Sequence, residues 1–310
     1  METLTAGYAA INRRLWVLLV PLLVDLFLWL GPHTSYSPLL DPAVARGTQW
    51  AQQVGPPPND PAAGVAIDDD VGDLRQTLLN LSTETNALIL LARGPLALPS
   101  IAVALGGMGA LWFISSWSLG VGLLMASLVG GLVVGAFFYA AIALQVLGDA
   151  GGPLAATRRV PRAVVRVLGL VGLLLGFGLL LGVPMLAVVA LAAVVAPILA
   201  TVGMAVLAAG VLLAGVYLFF AVDAIFVSGV GPLAAVQRSV GVVRRHLWPT
   251  LGLVVLTWLI LAGMDRVWIF LADALRPPFG IAVSMLANTY IASGLLAASM
   301  IFYYERAARD

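Results

Sequence analysis

From Leu96 to about Leu147 the chain runs for about 50 residues without one charged side chain, and few folds can accept such a stretch. It exceeds the roughly 20 apolar residues that a helix needs to cross a bilayer. In hydrocarbon every backbone N–H and C=O must be satisfied within the chain, so runs of this kind are helices rather than open strands. Composition points the same way, with 61% of residues hydrophobic and 10% charged against roughly 25% charged in an ordinary soluble domain. The expected fold class is therefore all-α: a polytopic transmembrane helix bundle of about six spans, forming one membrane domain over residues 1–310.

Arginine places the crossings. All 16 basic residues are Arg, grouped in short clusters beside apolar runs, and basic clusters stay on the cytoplasmic side. Six spans satisfy every cluster: 15–30, 119–147, 167–181, 200–226, 247–264 and 281–303. Both termini are then cytoplasmic. Residues 96–118 become an outer interfacial or re-entrant helix, and Gly182-Val183-Pro184 breaks the third span, leaving 183–197 partly in the outer leaflet. A polar outer turn follows the fifth span and holds Asp265, Arg266, Asp273 and Arg276. Arg13-Arg14 before an apolar run also fits a cleaved leader. No A-x-A-like site follows, however, and the run closes on Trp29 and Gly31-Pro32, as an uncleaved span does.

The long polar region, 33–93, is poor in Arg and is expected outside the membrane on its far face. Leu74, Leu78, Leu81 and Leu88 recur there at helical spacing, which predicts an amphipathic helix near 73–92. The Asp68-Asp69-Asp70-Val71-Gly72-Asp73 cluster fails as a calcium loop, because the twelfth position is Leu79 where a bidentate Glu is required.

One motif occurs twice, as Gly152-Pro153-Leu154-Ala155-Ala156 and Gly231-Pro232-Leu233-Ala234-Ala235. A shift of 79 residues superposes the two and also matches Arg159 with Arg238 and Arg166 with Arg245. Residues 152–166 and 231–246 thus read as repeated cytoplasmic interfacial elbows of a duplicated two-helix unit. In the second elbow Leu233, Val236, Val240, Val243 and Leu247 are expected to face the membrane, with Arg side chains at the phosphates. Residues 223–261, from Asp223-Ala224-Ile225-Phe226 through the elbow and Arg244-Arg245-His246-Leu247-Trp248, resemble prokaryotic six-span proteins related to the membrane domain attached to some glycerophosphodiester phosphodiesterases. The resemblance implies the architecture and an inner-membrane location in a prokaryote. It does not carry the enzymatic activity, since these residues include no phosphodiesterase domain.

Ionisable and polar groups inside a membrane are the first places to look for function. Asp25 in the first span and Ser284 with Asn288 in the sixth lie at comparable depth and form a candidate midplane polar site. Asp223, near the inner end of the fourth span, is expected to make a structural ion pair with Arg238 or Arg245 of its own elbow, or Arg159 or Arg166 of the other. Arg158, Arg162 and Arg244 are candidate lipid-phosphate contacts, and the implied partners are anionic membrane lipids and a further membrane protein, not nucleic acid. No Cys is present, the intramembrane aspartyl and rhomboid-like patterns are missed, and no P-loop or HExxH occurs, so no catalytic, cofactor or metal residue is assigned. Glycine pairs such as Gly131 with Gly135 and Gly172 with Gly176 are expected at close helix contacts. These features favour a non-enzymatic scaffold or subunit of a membrane assembly, with a transporter built on Asp25 and Asn288 as the alternative.

Overall fold

With hydrocarbon as solvent an apolar run satisfies its backbone by coiling, and the computed structural model of the chain is helical almost throughout. It describes residues 2–54, 86–149 and 151–307. They fall into two compact units, one drawn from residues 1–22 and 133–310 and the other from 23–132. Five helices are long and apolar enough to cross a bilayer: 117–146, 153–194, 198–227, 247–274 and 279–307. The chain is an all-α, multi-pass membrane helix bundle. The expected first span is a shorter apolar helix, Leu15–Leu30, made of a 3-10 turn, Leu15–Leu18, and helix α2, Leu19–Leu30.

The larger unit begins with α1, Glu2–Asn12, and includes the later part of α6, Trp117–Val146. Then come α7, Pro153–Val195, α8, Pro197–Leu218, and the short α9, Ala221–Val227. The elbow helix α10, Pro232–Arg245, leads to α11, Leu247–Ala274, and α12, Phe279–Ala307. Helix α12 is the axis of its core: Leu295, Ala297, Ala298, Met300 and Tyr303 are all buried. Phe220 stacks on Phe302 with centroids 5.2 Å apart. By contrast α7 and α8 turn Leu180 and Leu212 outward, 69% and 72% exposed, an arrangement that only an apolar solvent makes favourable.

Four expectations about helix limits are corrected. Gly182-Val183-Pro184 does not break the third span, because α7 continues through both Pro161 and Pro184. A proline inside a helix forfeits one backbone bond, whereas unwinding in hydrocarbon would strand several. Asp265, Arg266 and Asp273 lie within α11, so the outer turn retains only Arg276 of the four. Residues 96–118 are not one helix: they hold a single helical turn α5, Ala102–Leu105, a strand β2, Leu111–Phe113, and the first two residues of α6. Gly106, at φ 69°, stops that turn in a conformation costly for other residues. The fourth span is interrupted at Phe219–Phe220, between α8 and α9. Ser239 of α10 bridges the interruption, accepting from Phe220 N at 3.1 Å and donating to the Tyr217 carbonyl at 2.7 Å.

The two copies of the Gly-Pro motif start alike, with Gly152 and Gly231 extended and Pro at the first helical position. They end differently. The first elbow runs without interruption into its span, while the second stops at His246, φ −128° and ψ 43°. The shift of 79 sets Pro249 against Leu170, and the restart places Pro249 in the first turn of α11, where its missing N–H forfeits no helical bond. The face of α10 that packs on the protein is distinct from the one expected to face the membrane. It runs through Ala235, Ser239, Val242 and Val243, and Leu233 is exposed.

The smaller unit pairs β1, His33–Ser35, in parallel with β2, His33 opposite Leu111. Helix α3, Ser37–Val54, follows β1. Most of the helix expected near 73–92 lies outside the described residues; its end is a 3-10 turn, Ala87–Ile89, and one helical turn α4, Leu90–Arg93. Asn86 fastens this end, its side-chain oxygen accepting from Leu88 N at 3.1 Å and from the Thr34 hydroxyl at 3.1 Å. Gly131 of α6 meets the backbone of Leu90 and Leu91 closely, as a packing glycine does. Gly172 and Gly176 do not: an added Cβ would meet nothing within 4 Å.

Candidate functional site

Among the described residues two carboxylates are buried within apolar helices, and each is held by groups of its own unit. Asp25 sits on α2 with no exposed surface. Its Oδ1 takes the Ser100 hydroxyl and Ala102 N, at 3.2 Å for the amide, and its Oδ2 takes Ile101 N at 3.3 Å. Pro99 precedes the turn, so residues 100–102 present N–H groups that no preceding helical turn can satisfy. Asp25 thus acts as the cap that holds 96–105 against α2.

The other two residues of the expected midplane site, Ser284 and Asn288, lie on α12. Ser284 donates to the Trp268 carbonyl of α11 at 2.9 Å, a contact that staples α12 to α11. Asn288 is buried beside it on α12. Asp25 belongs to one unit and the two α12 residues to the other.

Asp223 lies on α9 and is 3% exposed. It accepts from the Ser299 hydroxyl of α12 at 2.9 Å, and Tyr139 of α6 is close enough to interact with it electrostatically. One helical turn further along each helix, the Ser228 and Tyr303 hydroxyls meet at 2.9 Å. Three helices therefore meet around a small polar knot inside an aromatic core. The expected ion pair is not present among the described residues. Arg159 instead bridges to Asp149 at 3.3 Å in an exposed pair, and the described residues give Asp223 no salt bridge to Arg166, Arg238 or Arg245. The elbow arginines are at the surface, whereas the α9 helix turns Asp223 inward onto α12. Arg158, Arg162 and Arg244 are exposed, as lipid-phosphate contacts need to be.

A double-mutant cycle reads this geometry. Asp223→Ala and Ser299→Ala should couple by about 1 kcal/mol, while Asp223→Ala combined with Ala at Arg159, Arg166, Arg238 or Arg245 should be additive to within about 0.5 kcal/mol. Coupling to an arginine and none to Ser299, measured by unfolding in detergent, would reverse the assignment.

Sequence reasoning missed Ser100, Ser299, Tyr139 and Ser239. A lone serine in an apolar run is a weak signal, since its usual fate is a bond to its own helix. Among the described residues no three His, Cys, Asp or Glu side chains gather as a metal site would require. Comparison with protein families, curated proteins and solved structures finds no match to this chain. Fold and site together define a multi-pass α-helical membrane protein whose buried carboxylates join helix to helix.

Proposed function

We propose that the chain is a non-enzymatic integral membrane scaffold, or a subunit of a larger membrane assembly. It has six crossings, and both termini and both elbows lie on the cytoplasmic side of a prokaryotic inner membrane. One observation carries the reading: both oxygens of Asp25 are taken by Ser100, Ile101 and Ala102, and Oδ2 of Asp223 is taken by Ser299. Transport through a carboxylate needs it to exchange partners with solvent or cargo, and these are committed to neighbouring segments. The resemblance of 223–261 to six-span membrane proteins supports the same architecture. So does the meeting of Arg14 with the Gly151 carbonyl, which sets the first arginine cluster beside the first elbow.

A permease reading has one observation in its favour. Thr289 Oγ1 and Ser293 Oγ of α12 and Trp268 Nε1 of α11 are buried with no hydrogen-bond partner among the described residues, and such groups are where internal water binds. Proton flux into liposomes that enclose a pH-sensitive dye separates the two. The scaffold reading expects flux equal to that of protein-free liposomes, for the native chain and for Asp223→Asn alike. Flux that Asp223→Asn or Asn288→Ala abolishes would establish the permease.

A further inference from the structure

A pocket of about 560 Å³ lies between the elbow helix α10 and the end of α12, where Ala307 borders it. Its wall on α10 is one stripe. Ala234, Arg238, Gly241 and Arg245 line it at spacings of four, three and four, which sets them on a single helix face. Gln237 borders the same space beside Arg238. The two arginines are two helical turns apart, about 10 Å along the axis at 1.5 Å per residue, and both are exposed. Gly241 lies between them, and an added Cβ there would meet nothing within 4 Å, so the floor between the two cations is bare and open. Among the described residues no carboxylate lines the pocket, and the nearest acid expected to serve these arginines, Asp223, is turned to Ser299. The first elbow is built otherwise. Under the shift of 79, Arg162 stands where the second elbow has Gly241, and Arg159, the counterpart of Arg238, bridges to Asp149. The open floor between two arginines is thus peculiar to the second copy.

We propose that this pocket binds a phosphate-bearing ligand, its phosphate held over Gly241 between Arg238 and Arg245. Two like charges that border one space repel each other, and an anion between them turns that repulsion into attraction. The donor set chooses the anion. Each guanidinium is a planar fork that pairs with two acceptor oxygens at once. Two forks entering from opposite ends, with the Gln237 amide beside one of them, need acceptors on several sides of one centre. A carboxylate offers two oxygens in one plane, whereas the tetrahedral oxygens of a phosphate meet donors from each direction. The volume falls in the range of small-molecule sites and exceeds what a bare phosphate fills, leaving room beside Val242 and Ala307 for the group that carries it. A phospholipid headgroup and a soluble phosphate compound share this chemistry. The inference is independent of the scaffold reading, so the flux assay does not bear on it.

Isothermal titration calorimetry of the delipidated full chain in a neutral detergent tests it, with inorganic phosphate, dioctanoyl phosphatidic acid and dioctanoylglycerol as separate titrants. The native chain should bind one equivalent of at least one of the two phosphate probes and no dioctanoylglycerol. Phosphatidic acid bound about tenfold or more tighter than inorganic phosphate assigns a lipid headgroup, because the acyl chains then contribute; inorganic phosphate bound as tightly or more so assigns a soluble compound. Arg238→Gln and Arg245→Gln should each weaken binding about tenfold, as loss of a charged hydrogen-bonding partner does. Gly241→Leu keeps both charges, fills the floor between them and should abolish binding. Arg266→Gln, at an exposed arginine on α11, removes the same charge and should bind as the native chain does. Failure of both phosphate probes overturns the site, as does binding that Gly241→Leu leaves intact or that Arg266→Gln weakens as much as the pocket variants do. Dioctanoylglycerol bound as tightly as phosphatidic acid would reveal an apolar contact and refute the phosphate. Should Gly241→Leu fail to fold, the arginine variants decide: native affinity in both refutes the site.

Discussion

Replacing Asp25 by leucine should cost on the order of 3 kcal/mol or more and loosen the segment 96–105. The side chain keeps the same branching but is bulkier, so overpacking adds a part of the cost. The rest comes from donors: the Ser100 hydroxyl, Ile101 N and Ala102 N all point at the carboxylate. A buried donor without an acceptor costs about 1–3 kcal/mol. Asp25→Asn keeps one acceptor oxygen and should recover part of the loss, whereas Ser100→Ala removes one donor together with its need and should be milder. Thermal unfolding in detergent, with proteolysis of 96–105 as a local readout, checks the order. Equal stability of Asp25→Leu and the native chain would show that the carboxylate does not hold this turn.

Enlarging Gly7 should have a comparable effect by another route. A Cβ there would lie 2.6 Å from the Gly294 carbonyl and 2.7 Å from Ala298 N. Both are backbone atoms of α12 and cannot swing aside. Helix α1 runs antiparallel along this part of α12, its Tyr8 hydroxyl donating to the Ile291 carbonyl at 3.3 Å and Asn12 accepting from Tyr290 at 3.1 Å. Overpacking alone costs about 1–3 kcal/mol, and lifting α1 off α12 forfeits these bonds as well. Gly7→Leu should therefore release α1, seen as protease access to residues 2–12 and a lower unfolding midpoint. Gly263→Leu on α11, where an added Cβ meets nothing within 4 Å, should leave both unchanged.

What could be read in advance followed the physics of the solvent. Long charge-free runs are visible because hydrocarbon demands them, and the Gly-Pro starts of both elbows are visible because proline suits the first helical turn. Helix α1 was not, since its buried side is made of Gly7, Ala10 and Ile11, small residues with little apolar signal, and its partner lies almost 300 residues away. Depth is a partial guide for the same reason. Asp25, Ser284 and Asn288 share a level by residue count, but counting along a helix says nothing of which neighbour each face meets. Asp25 turned to Ser100, in a stretch read as helix although Pro99, Gly106, Gly107 and Gly109 argue for turns. For Asp223, nearness in sequence to the elbow arginines suggested an ion pair, whereas the α9 helix carries it inward to Ser299.

The central claim, that the buried polar groups join helices and do not line a wet path, is tested most directly by thiol accessibility. The chain has no Cys, so Ser284→Cys, Ser299→Cys and Arg238→Cys each introduce a single, nearly isosteric or fully exposed thiol. A charged, water-soluble methanethiosulfonate should modify position 238 at once and leave 284 and 299 untouched until the protein is denatured. Rapid modification of 284 or 299 in the folded protein would place water in the bundle and contradict the account.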